Sequence, residues 1–132
     1  MLFTVFTPVY NRRHTIHRVW ESLLAQNRTD FEWVIVDDGS TDGVADTLAD
    51  YVSQAPFPVR VLVQSKNSGK HQAWNRAMRQ ARGELFVVAD SDDAFIPQSL
   101  GLMAEMWGSI PAEKRHGYAG INVLCRDGAS GK

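Results

Sequence analysis

Asp90-Ser91-Asp92-Asp93 sets three carboxylates directly behind the apolar run Leu85-Phe86-Val87-Val88-Ala89. Such a run reads as a buried strand, and open α/β sheets bind ligands beyond the carboxyl ends of their strands. Carboxylates this close repel one another unless a cation lies among them, and oxygen donors suit Mg²⁺ or Mn²⁺ carrying a phosphate. Asp and Ser also favour turns and helix caps, so taken alone the cluster reads as a solvated acidic turn. A second pair shifts the balance. Asp37-Asp38 follows Trp33-Val34-Ile35-Val36, another short buried-strand pattern, and leads into Gly39-Ser40-Thr41-Asp42. Two acidic strand ends in one small sheet converge on one crevice.

The elements that must hold these residues alternate along the chain. Leu2 to Thr7 reads as a strand, and Ile16, Val19, Trp20, Leu23 and Leu24 give a helix one apolar face. After the strand at 33–36, Val44, Leu48, Tyr51 and Val52 mark a second helix, with Thr41 or Asp42 available to cap it. Pro56 and Pro58 end that helix, and residues 59–63 form a third strand. Ala73, Trp74, Ala77, Met78 and Ala81 mark a third helix stopped by Gly83, a natural C′ residue, before the strand at 84–89. Pro97 suits the first turn of a fourth helix carrying Leu100, Met103, Ala104 and Trp107. Right-handed crossovers then build an α/β fold, a mostly parallel sheet with helices on both faces. Tyr118 to Cys125 is expected to add a strand, and Asp127-Gly128 a hairpin turn without a return arm. Residues 1–132 are therefore expected to form a single domain, the N-terminal part of a longer one, with an open sheet edge prone to self-association.

Composition narrows the partners. The chain has 132 residues, 44% hydrophobic and 22% charged, with a net charge of −1. That balance supplies no basic face for nucleic acid. One cysteine, Cys125, rules out an intrachain disulfide and points to a reducing, cytoplasmic setting, with a peripheral position at the inner face of a membrane left open. No apolar stretch is long enough to span a bilayer, so membrane association would have to come from sequence not present here.

Several stretches together resemble family 2 glycosyltransferases: Thr7-Pro8-Val9-Tyr10-Asn11-Arg12, Glu32 through Asp42, Asn67-Ser68-Gly69-Lys70, and Ala81-Arg82-Gly83-Glu84 leading to Asp90-Ser91-Asp92-Asp93. Their order and spacing over residues 2–107 are similar to the N-terminal, nucleotide-sugar-binding half of that family, which has the Rossmann-like GT-A fold. The resemblance implies transfer of a sugar from a nucleoside diphosphate donor, a uridine diphosphate sugar, with Mn²⁺ or Mg²⁺ and inversion at the anomeric carbon. It implies that Thr7, Pro8 and Tyr10 wall the nucleoside and that Asp38 accepts from the base. Asn67 and Lys70 would approach the base or phosphates. Asp90 and Ser91 would lie beside the nucleotide, and Asp92, with Asp90, would bind the metal. Asp93 is divided between metal ligand and cap of the fourth helix. The acceptor's general base, expected beyond Lys132, has no match in the sequence, nor does an acceptor site for a carbohydrate, lipid or protein.

Two other functions compete. One is a phosphatase-like hydrolase with Asp90 as nucleophile and Asp92 as acid, but that class expects Thr or Val where Ala94 stands, and it leaves Asp37-Asp38 unexplained. The other is a nucleotide-binding module without catalysis. The remaining candidates read as structure. His14 and His17 lack further ligands and belong to the surface. Trp20, Trp74 and Trp107 fall on core-facing helical positions. Gly69-Lys70 lacks the other residues of a phosphate-binding loop. Arg76, Arg79 and Arg82 form a solvated stripe.

Overall fold

A computed structural model describes residues 1–131. Alternation in the first strand decides the layering. In β1 (Phe3–Val9), Phe3, Val5 and Val9 pack into one hydrophobic layer while Phe6 enters another on the opposite face. The chain continues through α1 (His17–Leu24), β2 (Phe31–Asp37), α2 (Val44–Gln54), β3 (Val59–Val63), α3 (Lys70–Gln80), β4 (Leu85–Val88) and α4 (Ser99–Gly108). All four strands are parallel, in the order β3-β2-β1-β4. Val19 and Leu23 of α1, Val44 and Leu48 of α2, and Leu100 and Met103 of α4 cover one face. On the other, Ala73 and Ala77 bring α3 close against Phe6, Val34 and Val36.

The order of strands reverses between β1 and β4, and that is where the sheet opens. β4 pairs with β1 only from Phe3↔Leu85 to Phe6↔Val88, while β1 and β2 stay paired to Val9↔Asp37. The Phe6 carbonyl accepts the Ala89 N–H at 2.8 Å. With the two-residue period of a strand, the next β1 groups on that side belong to Pro8, which has no N–H to continue the ladder. The strands part there, leaving a topological switch point, the usual place for a ligand in an open α/β sheet.

A buried acid fastens the opposite end of the sheet. Glu32, fully buried in β2, accepts from the Thr4 hydroxyl at 2.7 Å, the Arg82 N–H at 2.8 Å and the Arg60 guanidinium at 2.8 Å. Burial alone would raise its pKa, but the hydrogen bonds from Thr4, Arg82 and Arg60 outweigh it and hold the carboxyl below the usual glutamate range. The chain entering β4 is thereby tied to β1, β2 and β3.

Several local expectations need correction. Gly83 is not the helix stop: α3 ends at Gln80, and Gly83 lies on β1, where a Cβ would fall 2.4 Å from Phe3 C and Thr4 N. Pro97 precedes α4, whose Leu100 N–H is met by the Gln26 side-chain oxygen at 3.1 Å. Asp93 caps nothing; its N–H closes a turn onto the Asp90 carbonyl at 2.9 Å. At the start of α2, Asp42 rather than Thr41 receives the Val44 N–H, at 3.1 Å. Tyr118 to Cys125 forms no strand. A 3-10 helix (Ala112–Gly117) follows Pro111, and residues 119–123 line a cavity of about 750 Å³ together with β4 without pairing to it. Trp107 is buried and donates to Glu84 at 2.7 Å, and Trp20 stacks on Tyr51 at 4.4 Å. Trp74 is 38% exposed, packed edge-on against Phe6 at the rim of that cavity. His14 and His17 are exposed, as expected, whereas Arg76 leaves the solvated stripe to donate to the Val63 carbonyl at 2.6 Å.

Candidate functional site

A crevice of about 350 Å³ occupies the opening at the carboxyl ends of β1, β2 and β4, with the N-terminus of α3 at its side. Pro8, Val9 and Tyr10 wall it from β1, Asp38 from β2, and Asp90, Ser91 and Asp92 from β4. Lys70 and Ala73 close it from α3, and Arg12 from the loop after β1. Two residues assigned to the nucleotide are not among its lining. The Thr7 hydroxyl is buried beneath the sheet and accepts from Trp33 Nε1 at 2.9 Å. Asn67 turns its side-chain oxygen to the Gly69 N–H at 3.1 Å, within its own loop.

Asp38 is the most constrained acid of the crevice. Only 4% exposed, it accepts from the Gln64 side-chain amide, from the Ser68 N–H at 2.7 Å and from the Gly69 N–H at 2.8 Å. The carboxylate thus fixes the loop that launches α3. A carboxylate has about four acceptor positions, so roughly one remains for a ligand donor. Next to it, Asp37 accepts the Ser40 N–H at 3.0 Å and serves the turn. Gly39, at φ +77, lets that turn lie on the loop: a Cβ there would come within 2.8 Å of Lys66 C.

On the β4 side, Lys70 Nζ lies 2.6 Å from Asp90 Oδ1. Both side chains are about half exposed, so this is a solvent-screened pair and a weak one. The chain thus carries its own cation against the acid cluster. Asp93, just outside the crevice, has its pKa raised, first by burial and then by the charges of Asp90 and Asp92. Lys70 opposes that rise without cancelling it.

Among the described residues there is no group of three or more His, Cys, Asp or Glu side chains placed to hold a metal. Two carboxylates on one turn, the half-exposed Asp90 and the exposed Asp92, fit the other way in which Mg²⁺ or Mn²⁺ is bound: by one or two carboxylates together with substrate phosphates. Such an ion would enter with the ligand rather than wait for it. When bound, it would offset charge on a departing phosphate.

Arg12 is the charged crevice residue to which the sequence assigned no role. Its neighbours explain its position. Asn11, at φ 52, is held by the Thr41 N–H at 2.7 Å and donates its own N–H to Ser40 at 2.9 Å. An exposed loop residue shows no periodicity, so only its place beside Tyr10 hinted at it.

The family model for glycosyl transferase family 2 matches residues 4–113. The chain belongs to that family. Among its relatives, the succinoglycan biosynthesis protein ExoO of Rhizobium meliloti is 39% identical over 128 residues, which is 96% of this chain and 35% of ExoO. The structure of Staphylococcus aureus TarS 1–349 with UDP-GlcNAc superposes with a TM-score of 0.73 at 30% identity, over 82% of this chain and 32% of TarS 1–349. A mannosyltransferase of Pyrobaculum calidifontis, in complex with GDP-Man and Mn²⁺, gives a TM-score of 0.73 at 28% identity, over 78% of this chain and 31% of its own. These are GT-A enzymes, and the fold is theirs. The chain spans between about a third and a half of the length of the first curated relatives it matches.

Proposed function

We propose that this chain is the donor-binding part of a metal-dependent, inverting glycosyltransferase that takes a sugar from a uridine diphosphate donor. The observation that carries the reading is the switch-point crevice, which joins an almost buried acceptor carboxylate, Asp38, to two open carboxylates, Asp90 and Asp92. The lone acceptor position left on Asp38 suits a base edge with a donor, as uracil N3 presents and cytosine N3 does not. The UDP-GlcNAc complex of TarS supports the choice of nucleotide, and the Mn²⁺ complex of the mannosyltransferase supports the metal.

In this reading Asp92, helped by Asp90, would hold the divalent ion, which would supply positive charge to the donor phosphates. Tyr10 and Pro8 form the nucleoside wall, with Ser91 beside it. The acceptor hydroxyl is deprotonated by a carboxylate in the part of the relatives that this chain does not match. No helix among the described residues is long and apolar enough to cross a membrane. We place the protein in the cytoplasm, where nucleotide sugars would meet it.

Calorimetry with uridine diphosphate in Mn²⁺, repeated in chelator and with Asp92→Ala, tests the assignment. Binding should need the ion, and Asp92→Ala should weaken diphosphate binding while leaving uridine nearly unaffected. Uridine diphosphate should bind better than cytidine diphosphate. Equal affinity of wild type and variant in Mn²⁺ would remove Asp92 from the metal site.

A further inference from the structure

We propose that Arg12 binds the donor's diphosphate, serving as a second cationic contact beside the metal; this rests on the donor-site reading above. The loop after β1 presents two adjacent arginines, and the fold gives them different work. Arg13 is spent on the neighbouring loop: its N–H donates to Asp42 Oδ2 at 2.8 Å and its Nη1 to the Asp42 carbonyl at 3.4 Å. It also lies on Gly43, where a Cβ would meet Nη1 at 2.9 Å. Arg12 instead lines the crevice, and its guanidinium has no hydrogen-bond or ion-pair partner among the described residues.

The backbone is bent to achieve this. Asn11 sits in the left-handed region, uncommon for a residue with a side chain, and the clamps from Ser40 and Thr41 hold it there. Strain kept in place by several hydrogen bonds gathers at functional sites, and here its effect is to turn one arginine into the crevice and the next out of it.

Charge identifies the ligand group. The crevice contains Asp38, Asp90 and Asp92 against Lys70 and Arg12, and Lys70 is already paired with Asp90. A nucleoside diphosphate would add negative charge to a lining that is net acidic. A divalent ion offsets part of that, and an unpaired guanidinium offsets more, with a planar fork of donors that fits phosphate oxygens in a bidentate manner. A guanidinium accepts nothing, so it offers no contact to a base donor.

Binding of uridine diphosphate, uridine monophosphate and uridine, all in Mn²⁺, to wild type, Arg12→Gln and Arg12→Lys tests the proposal. Arg12→Gln is expected to weaken the diphosphate about 10- to 100-fold, the range for loss of a charge-assisted hydrogen bond, and uridine less than about twofold. Arg12→Lys should recover part of the loss, since the charge returns without the fork. Because the guanidinium makes no bond in the fold, thermal unfolding of both variants should match the wild type. Unchanged diphosphate affinity in Arg12→Gln, or an equal loss for uridine, would overturn the role. A wild type that binds none of the three would overturn the donor-site reading itself, and this role with it.

Discussion

Replacing Asp38 by Asn tests whether one carboxylate holds the floor of the crevice together. The amide oxygen can take the Oδ1 position and keep the bonds from Gln64 and Ser68, but its NH₂ group then faces the Gly69 N–H, donor against donor. Losing that charged hydrogen bond costs about 1.5–3 kcal/mol. The two that survive lose their charge assistance, roughly half their strength. Asn67, 3.1 Å from the same Gly69 N–H, returns part of this by accepting it. The balance is a destabilisation of about 2–3 kcal/mol, which lowers a urea midpoint by about 1–1.5 M for a typical slope near 2 kcal/mol per M. Urea unfolding followed by tryptophan fluorescence measures it. Amide exchange should accelerate at Ser68 and Gly69 before it does in the sheet. Asp37→Asn is the internal comparison: it accepts a single backbone N–H, so it should cost about 1 kcal/mol. An Asp38→Asn midpoint within about 0.3 M of wild type would refute the clamp.

Glu32→Gln should cost about 3 kcal/mol at neutral pH, because it leaves the Arg60 guanidinium facing an NH₂ group in place of a carboxylate. As the folded pKa of Glu32 is depressed, its contribution is complete above the ordinary glutamate range and is lost as pH falls through the folded value; the gap between wild type and variant should narrow in acid, and parallel stability–pH curves would contradict this. Gly83→Ala drives a Cβ to 2.4 Å from the β1 backbone and should cost about 3 kcal/mol or more, seen as a melting temperature lower by about 10 °C. Gly108→Ala, with nothing within 4 Å, should melt at or slightly above wild type.

Periodicity carried most of the elements. Residues 59–63 are β3 as read, and Val19 and Leu23 face the core as their spacing demands. The acidic strand ends converged as well: Asp38, Asp90 and Asp92 line one crevice. What failed was whatever depended on a distant partner. Gly83 looked like a helix stop because local sequence cannot show that β1's backbone lies beneath it. Tyr118 to Cys125 reads as a strand, but it pairs with no neighbour among the described residues and Leu124 is fully exposed. Thr7 stood at the right end of the right strand, yet its hydroxyl is buried and taken up by Trp33 Nε1 from the neighbouring strand. The Lys70–Asp90 pair joins residues 20 positions apart, which only the strand order brings together.

The strand order also sets a sequence of events for a chain emerging from the ribosome. β1, β2 and β3 are neighbours in both chain and sheet, so they and the helices between them can assemble early. β4 must reach back across all of them to pair Leu85 with Phe3. Until it does, Asp90 and Asp92 have no place opposite Asp38, and no binding site exists for a ligand to stabilise. Any ligand of this crevice would therefore reward only the finished sheet, and would favour the completed fold over any partly synthesised one.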